Sequence, residues 1–282
     1  MKKSNVTVII PCYNDGEYIL KAVDSALKQT SKPEKIIIID DGSDIKTKSV
    51  LKTIKDDIIE IIYQKNLGVC KARNIAIAQA KTDYILTLDA DDFFEPTFIE
   101  KAIKILDQDQ KVGVVGCYFR WFNEENNNLH VIKTPGGQLD DFLYGNKGVG
   151  NAIFRKICWE QVGGYDENMR YGYEDWEFWI AIAAMGWKYD SIPEILFNYR
   201  RKNESRDSIA KSNYDILLKK YIFIKHQKHY AKNIDETLNY VFNLAERKVK
   251  EKEKIINSIN YRFGKKILNP IRKIRRIINS WF

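Results

Sequence analysis

No apolar run in this 282-residue chain reaches the ~18–20 residues that a helix needs to cross a bilayer, so a membrane-spanning segment is not expected. Met1 to Asn5 run straight into Val6–Ile10, an apolar stretch too short for the core of a signal peptide. There are four cysteines, Cys12, Cys70, Cys117 and Cys158, and none forms a Cys-x-x-Cys pair. That spacing argues against a zinc site or a disulfide framework and fits a reducing cytoplasm. The three histidines, His130, His226 and His229, are scattered and suggest no nucleophile system; each reads as a surface or packing residue. Internal repeats and low-complexity linkers are also missing. No glycine-rich, Lys/Arg-bearing phosphate loop follows the first apolar run, which argues against a nucleotidyltransferase.

What is present is unevenly distributed. The net charge is +8, yet residues 206–282 hold 19 Lys/Arg against 7 Asp/Glu, and residues 1–205 hold 27 against 31. An acidic body with a basic tail points to a polyanionic surface as partner. The expected division is a globular body over 1–205 and a basic helical extension over 206–282.

Along the body, β-branched runs alternate with helical stripes. Val6–Ile10 reads as a strand stopped by Pro11, followed by a helix over Glu17–Thr30 with Ile19, Ala22, Val23, Ala26 and Leu27 on one face. Ile36–Ile39 and Ile58–Ile62 read as strands around a helix near Lys46–Lys55; Val69–Ala80 is a further helix. Pro96 sits at an N1 position ahead of a helix carrying Phe98, Ala102, Ile103 and Leu106, and Val112–Gly116 is another strand. This alternation predicts an α/β fold with a mostly parallel sheet and helices on both faces. The polar, glycine-rich stretch from Asn123 to Gly150 reads as loops, lying over a site or simply at the surface.

The organising stretch is Tyr84–Phe94, in which the apolar run Ile85–Leu88 reads as a buried strand ending in Asp89, Asp91 and Asp92. On an extended chain Asp89 and Asp91 point to the same side, just where ligands of open α/β sheets bind. Crowded carboxylates repel one another unless a cation intervenes, and hard oxygen donors suit Mg²⁺ or Mn²⁺ shared with substrate phosphates. A solvated acidic turn is the bland alternative. Tyr13-Asn14 and Asp40-Asp41 stand at two other strand ends, so a parallel sheet would bring all three groups to one edge.

A second acidic signal is Glu174-Asp175 at the start of a helical pattern, with Gly186 as its stop. Carboxylates are favoured there by the helix dipole, and one could equally serve as a general base. Tyr171, Tyr173, Trp176 and Trp179 nearby offer flat faces that suit a sugar or a core.

Six segments in order, Val6–Asn14, Ile38–Ser43, Asn66–Asn74, Leu88–Asp92, Val162–Glu167 and Glu174–Trp176, resemble the motifs of family-2 inverting glycosyltransferases of the GT-A fold. The resemblance covers about Val6 to Ser205. It implies a nucleotide pocket lined by Pro11, Tyr13 and Asn14. Asp41, with Asp40 as the second choice, would accept the uracil N3–H, and Arg73 would lie near the base or diphosphate. Asp89 would approach the ribose, Asp91 would bind Mn²⁺ or Mg²⁺ with Asp89 and Asp92 nearby, and Asp175 would be the catalytic base beside Glu174. Two positions depart from the family pattern. Ala181 stands where an Arg is common, and Lys202 follows Tyr199-Arg200-Arg201 where a His is common. The implied reaction moves a sugar from a nucleotide-sugar, UDP-linked, to a hydroxyl of a glycan or lipid-linked acceptor in surface polysaccharide synthesis.

The tail reads as charged helices over Tyr214–Tyr230 and Ile234–Ile259. A terminal amphipathic helix then starts at Asn269-Pro270 and carries Ile271, Ile274, Ile277, Ile278 and Trp281 opposite a basic face. It suits the inner face of an anionic membrane, or docking on the body. Aromatics are not interleaved with its basic groups as in single-strand binders, which argues against nucleic acid. A non-catalytic membrane- or nucleic-acid-binding protein would explain this tail but not the acidic strand ends.

Overall fold

The computed structural model describes residues 4–123, 130–202 and 206–263. Nine strands form one sheet in the order β3-β2-β1-β4-β8-β6-β9-β5, with β7 added at β6. The first half follows the predicted alternation: β1 (Val6–Cys12), α1 (Ile19–Leu27), β2 (Lys35–Asp40), α2 (Ile45–Leu51), β3 (Ile59–Tyr63), α3 (Val69–Gln79) and β4 (Tyr84–Thr87). β1, β2, β3 and β4 are all parallel, and the inner three are continuous apolar runs because both faces are covered. β1 runs through Pro11 to Cys12 rather than stopping at the proline. Pro11 pairs in register with Ile39 of β2, while β4 on the other flank has already ended at Thr87. The missing N–H therefore costs no ladder bond.

The second half is mixed. β5 (Phe93–Phe94), α4 (Phe98–Gln108), β6 (Val112–Phe122), β7 (His130–Ile132), α5 (Leu139–Leu143), β8 (Ile153–Arg155), α6 (Lys156–Val162), α7 (Glu174–Ala184) and β9 (Lys188–Arg200) follow. β8 is wedged antiparallel between β4 and β6, whereas β6 and β9 are parallel. The expected loop region around 123–150 thus carries β7 and α5. Phe142 and Leu143 of α5 are fully buried, and Phe142 carbonyl accepts the Trp176 Nε1–H at 2.6 Å. Part of that stretch is core.

After β9 come α8 (Arg206–Ile209), a wide helical turn over Ala210–Tyr214, α9 (Asp215–Lys225), α10 (Gln227–Lys232) and α11 (Ile234–Asn257). The chain forms two compact units divided between His229 and Tyr230. The sequence boundary at 205/206 falls earlier, because residues 206–229 pack with the sheet unit. Gly172, at φ +127, lets Ala210 come close to its backbone, and Tyr171 stacks on Tyr214 at 4.2 Å. Tyr173 Oη donates to Asp215, and Lys225 bridges Asp166 and Glu177. The second unit contains α11, an amphipathic helix with Leu238, Val241 and Phe242 exposed. The expected terminal helix from Asn269 lies outside the described residues. Among the described residues no helix is long and apolar enough to cross a membrane.

Candidate active site

The carboxyl ends of β1, β2 and β4 supply the site. Beyond β1, Asn14 adopts a left-handed backbone at φ 59°; its N–H donates to Ser43 Oγ, and its Oδ1 accepts from Asp44 N. Those bonds tie the β1 and β2 ends together, with half-exposed Tyr13 beside them. At the β2 end, Asp40 is fully buried. Its Oδ1 accepts from Ser43 N, and its Oδ2 has no partner among the described residues.

Asp41 takes both of its oxygens into the next loop. Oδ1 accepts from Gln64 Nε2 at 2.6 Å and Leu67 N at 2.8 Å, and Oδ2 accepts from Gly68 N at 2.9 Å. A Cβ on Gly42 would lie 2.6 Å from Asn66 N, so only glycine lets this loop close on the carboxylate. The loop delivers α3, and α3 carries Arg73.

Arg73 is buried and bridges two acids: Nη2 is 2.6 Å from Asp89 and Nη1 is 3.1 Å from Glu174. Burial works against the guanidinium charge, but Asp89 above all, with Tyr165 and Glu174, outweighs it, so the group stays charged. Burial likewise opposes the Asp89 charge, and Arg73 overrides it and holds the carboxyl below the ordinary carboxylate range. Burial also disfavours the Glu174 carboxylate, yet Arg206 and Arg73 on either side keep it below its usual value. Arg73 is thus a cross-brace between two acidic motifs rather than a side chain free to meet a ligand.

The acidic triplet does not continue the strand. β4 stops at Thr87, and Asp92 N donates to Asp89 O, so Asp89–Asp92 is a turn. The same-side rule for i and i+2 does not apply there: Asp89 and Asp92 share Asn151, and Asp91 turns to Lys202. Asp89 meets Arg73 and Asn151; Asn151 Nδ2 also reaches Asp92 at 3.3 Å. Asp92 is buried and accepts Arg200 N at 2.7 Å; burial, then Asp91 and Asp89, push its carboxyl well above the ordinary range. Asp91 stays partly exposed, and its Oδ2 lies 2.8 Å from Lys202 Nζ.

Asp175 opens α7, behind Tyr173 at φ 60°. Tyr173 and Asn14 are the two non-glycine residues with positive φ among the described residues, and both flank this site. Asp175 is half-buried; burial first, then neighbouring Glu174, push its carboxyl up to about 6. Asn146 Nδ2 donates to its Oδ2 at 2.8 Å. Of the aromatics expected to face a sugar or a core, Trp176 and Trp179 are core, and Tyr171 is exposed. Sequence patterns give no hint of Asn146, Asn151, Gln64 or Arg206. Each is a single polar residue whose partner is remote in the chain.

A divalent ion fits this donor set in a limited way. Among the described residues no three His, Cys, Asp or Glu converge on a common point. Asp91 nevertheless presents a partly exposed hard carboxylate that already attracts an ammonium, and a magnesium-type ion shared with phosphates uses one or two protein carboxylates.

The chain matches the family described as glycosyl transferase family 2 over residues 7–180. It is 29% identical over 199 residues to an uncharacterised glycosyltransferase of Rickettsia typhi, covering 65% of this chain and 60% of the relative. It is 30% identical over 225 residues to the glycosyltransferase GlyG of Streptococcus pneumoniae, covering 78% and 67%. The chain thus spans about three-fifths to two-thirds of the length of these relatives. Among solved structures, S. aureus TarS 1-349 in complex with UDP-GlcNAc aligns with a TM-score of 0.67 at 18% identity, covering 86% of this chain and 73% of that one. The mannosyltransferase PcManGT of Pyrobaculum calidifontis, in complex with GDP-Man and Mn²⁺, aligns at 0.57 and 22% identity, covering 73% and 60%. Both likenesses concern the fold. On the family match across more than half its length, this chain belongs to glycosyl transferase family 2.

Proposed function

We propose that the protein is an inverting, metal-dependent glycosyltransferase. It moves a sugar from a nucleotide-sugar, UDP-linked, to a hydroxyl of a glycan or lipid-linked acceptor in surface polysaccharide synthesis. The observation that carries this reading is Asp175, a half-buried carboxyl raised to about 6 at the start of α7. A base poised near working pH is what proton removal from a hydroxyl requires.

The acceptor oxygen attacks the anomeric carbon from the face opposite the diphosphate, and the carbon–oxygen bond to the diphosphate breaks as the new one forms. Asp175 takes the hydroxyl proton, with Asn146 fixing one carboxylate oxygen so that the other is presented. Arg73 locks the Asp89 turn to the helix that carries Asp175 and so sets the distance between donor and base regions. Asp91 would hold the divalent ion, whose chemistry would be to neutralise charge on the departing diphosphate. Tyr13, Asn14, Pro11 and Asp41, with Asp40 beneath, would line the nucleoside side, and the buried Asp40 Oδ2, which has no partner among the described residues, marks unmet hydrogen-bonding capacity there. The basic tail would keep the enzyme at the cytoplasmic membrane face, where lipid-linked acceptors are found.

The deciding experiment is a panel of UDP-sugars with Mn²⁺, measuring UDP release with and without candidate acceptors. Metal-dependent release from one donor, abolished in Asp175→Asn, is expected. Full turnover in that variant would overturn the role of Asp175. For the tail, liposome co-sedimentation of full-length protein and of a form ending before Tyr261 is the check, with equal binding arguing that the terminal helix docks on the body instead of contacting the membrane.

A further inference from the structure

β9 ends at Arg200, beside the Asp91 turn; Arg201 N still donates to Phe122 O, and Lys202 follows. Arg200 secures the backbone there: its N–H donates to Asp92 Oδ1 at 2.7 Å, its Nε–H donates to Asp91 O at 3.0 Å, and its guanidinium lies 4.1 Å from the Tyr18 ring. Two residues on, Lys202 does something different. Its Nζ sits 2.8 Å from Asp91 Oδ2 and 2.7 Å from Asp15 Oδ1, with the Tyr18 ring centroid 4.8 Å away. Asp15 follows β1 and Asp91 follows β4, so one ammonium joins two strand ends. It is also the cation that meets Asp91, a partly exposed carboxylate of the acidic turn, while Asp89 is already balanced by Arg73.

The position has an electrostatic consequence. Asp91 and Asp15 make a negative pocket that attracts any small cation, and a unit charge on a flexible stem already occupies it. A divalent ion approaching Asp91 would meet that ammonium at contact range, and two like charges so close repel strongly in a partly desolvated site. The ammonium can leave only by giving up two ion pairs, which is favourable once another anion is present to receive it. A nucleoside diphosphate is such an anion.

We propose that Lys202 is a tethered counter-ion that holds the cation position on Asp91 in the free protein, so that a divalent ion binds well only when a nucleoside diphosphate draws the ammonium away. The proposal rests on the metal–nucleotide reading above and deepens it. Metal and nucleotide then load as a pair, and Lys202 ends as a contact to the diphosphate. Arg200, held by the turn backbone, stays where it is.

The test is titration of full-length protein with Mn²⁺, following free Mn²⁺ by electron paramagnetic resonance, with and without UDP. Lys202→Met removes the charge and keeps the stem; Lys202→Arg keeps a charge. Without UDP, Lys202→Met is expected to bind Mn²⁺ about tenfold or more tightly than wild type, the size expected for removing a like charge at contact range. Lys202→Arg is expected to stay as weak as wild type. With UDP, wild type is expected to gain affinity and the advantage of Lys202→Met to shrink. If Lys202→Met binds Mn²⁺ no tighter than wild type without UDP while both bind it with UDP, the counter-ion role is overturned and the metal–nucleotide reading stands. If no form binds Mn²⁺ even with UDP, both fall together.

Discussion

Asn146 donates one amide hydrogen to Asp175 Oδ2 at 2.8 Å, from a loop 29 residues earlier in the chain. The bond favours the charged carboxylate, while burial and Glu174 oppose it. Three further contacts keep that loop in place. The Val149 N–H donates to Tyr189 Oη at 3.0 Å, and the Gly148 N–H donates to Asn146 Oδ1 at 3.1 Å. Thr87 Oγ1 donates to Gly150 O at 3.3 Å.

The pH profile of sugar transfer should therefore show an acidic limb near pH 6, because Asp175 must be charged to accept a proton and its carboxyl is raised to about 6. In Asn146→Ala the charged form loses a donor, so the limb should move to higher pH and turnover at pH 7 should fall by roughly 3- to 10-fold. Measuring kcat/KM from pH 5 to 9 for both proteins checks this. An unmoved limb would mean that another group controls it.

Asp175→Asn should abolish transfer, by about a hundredfold or more, yet leave the fold at least as stable. A carboxyl of ordinary value 3.8 raised to about 6 costs stability once it ionises. That cost is absent below the ordinary value, grows as pH rises between the two values and is complete above about 6. The variant should melt roughly 2–4 °C higher than wild type at pH 8, and the gap should close as pH falls towards 4. Thermal unfolding at the two pH values is the measurement.

Arg73→Met should be among the most damaging single changes outside the apolar core. It leaves Asp89 without its cation and Glu174 with Arg206 alone. The loss should be about 2–4 kcal/mol by denaturant unfolding, below the full buried-pair penalty because Asp89 is partly exposed. Adding Asp89→Asn should recover part of that loss, since Glu174 keeps Arg206 and Asp89 is the charge left without a cation.

The four cysteines should be silent in the folded protein. All are buried, and burial pushes the Cys12, Cys70 and Cys158 thiols up to about 12 and the Cys117 thiol higher still. Ellman's reagent should label none quickly in native buffer and all four in denaturant.

The amino-terminal half of the fold was legible because a strand covered on both faces is a continuous β-branched run, as Ile36–Ile39 is, and turn residues mark its end. β8 and β5 are three and two residues long. They are strands only because their neighbours pair with them, so no local pattern announces them. The acidic cluster was visible as composition, but its geometry depended on where β4 stops. β4 ends at Thr87, Leu88 N still donates to Ile9 O, and the chain turns from Asp89. The triplet is thus a turn in which Asp89 and Asp92 share Asn151 while Asp91 meets Lys202. Lys202 was visible as a departure from the family pattern, while Asp15, 187 residues away, could be found only in space. Asn146 sat in a polar stretch that looked like any surface loop.

The three hydrogen bonds that Asp41 accepts from Gln64, Leu67 and Gly68 carry one more consequence. They fix the connection into α3 in the free chain, so a nucleoside docking there, as proposed, would extract little entropy from the chain. On the proposed function that end would act as a rigid socket, and adjustment on binding would be left to Lys202 at the Asp91 turn.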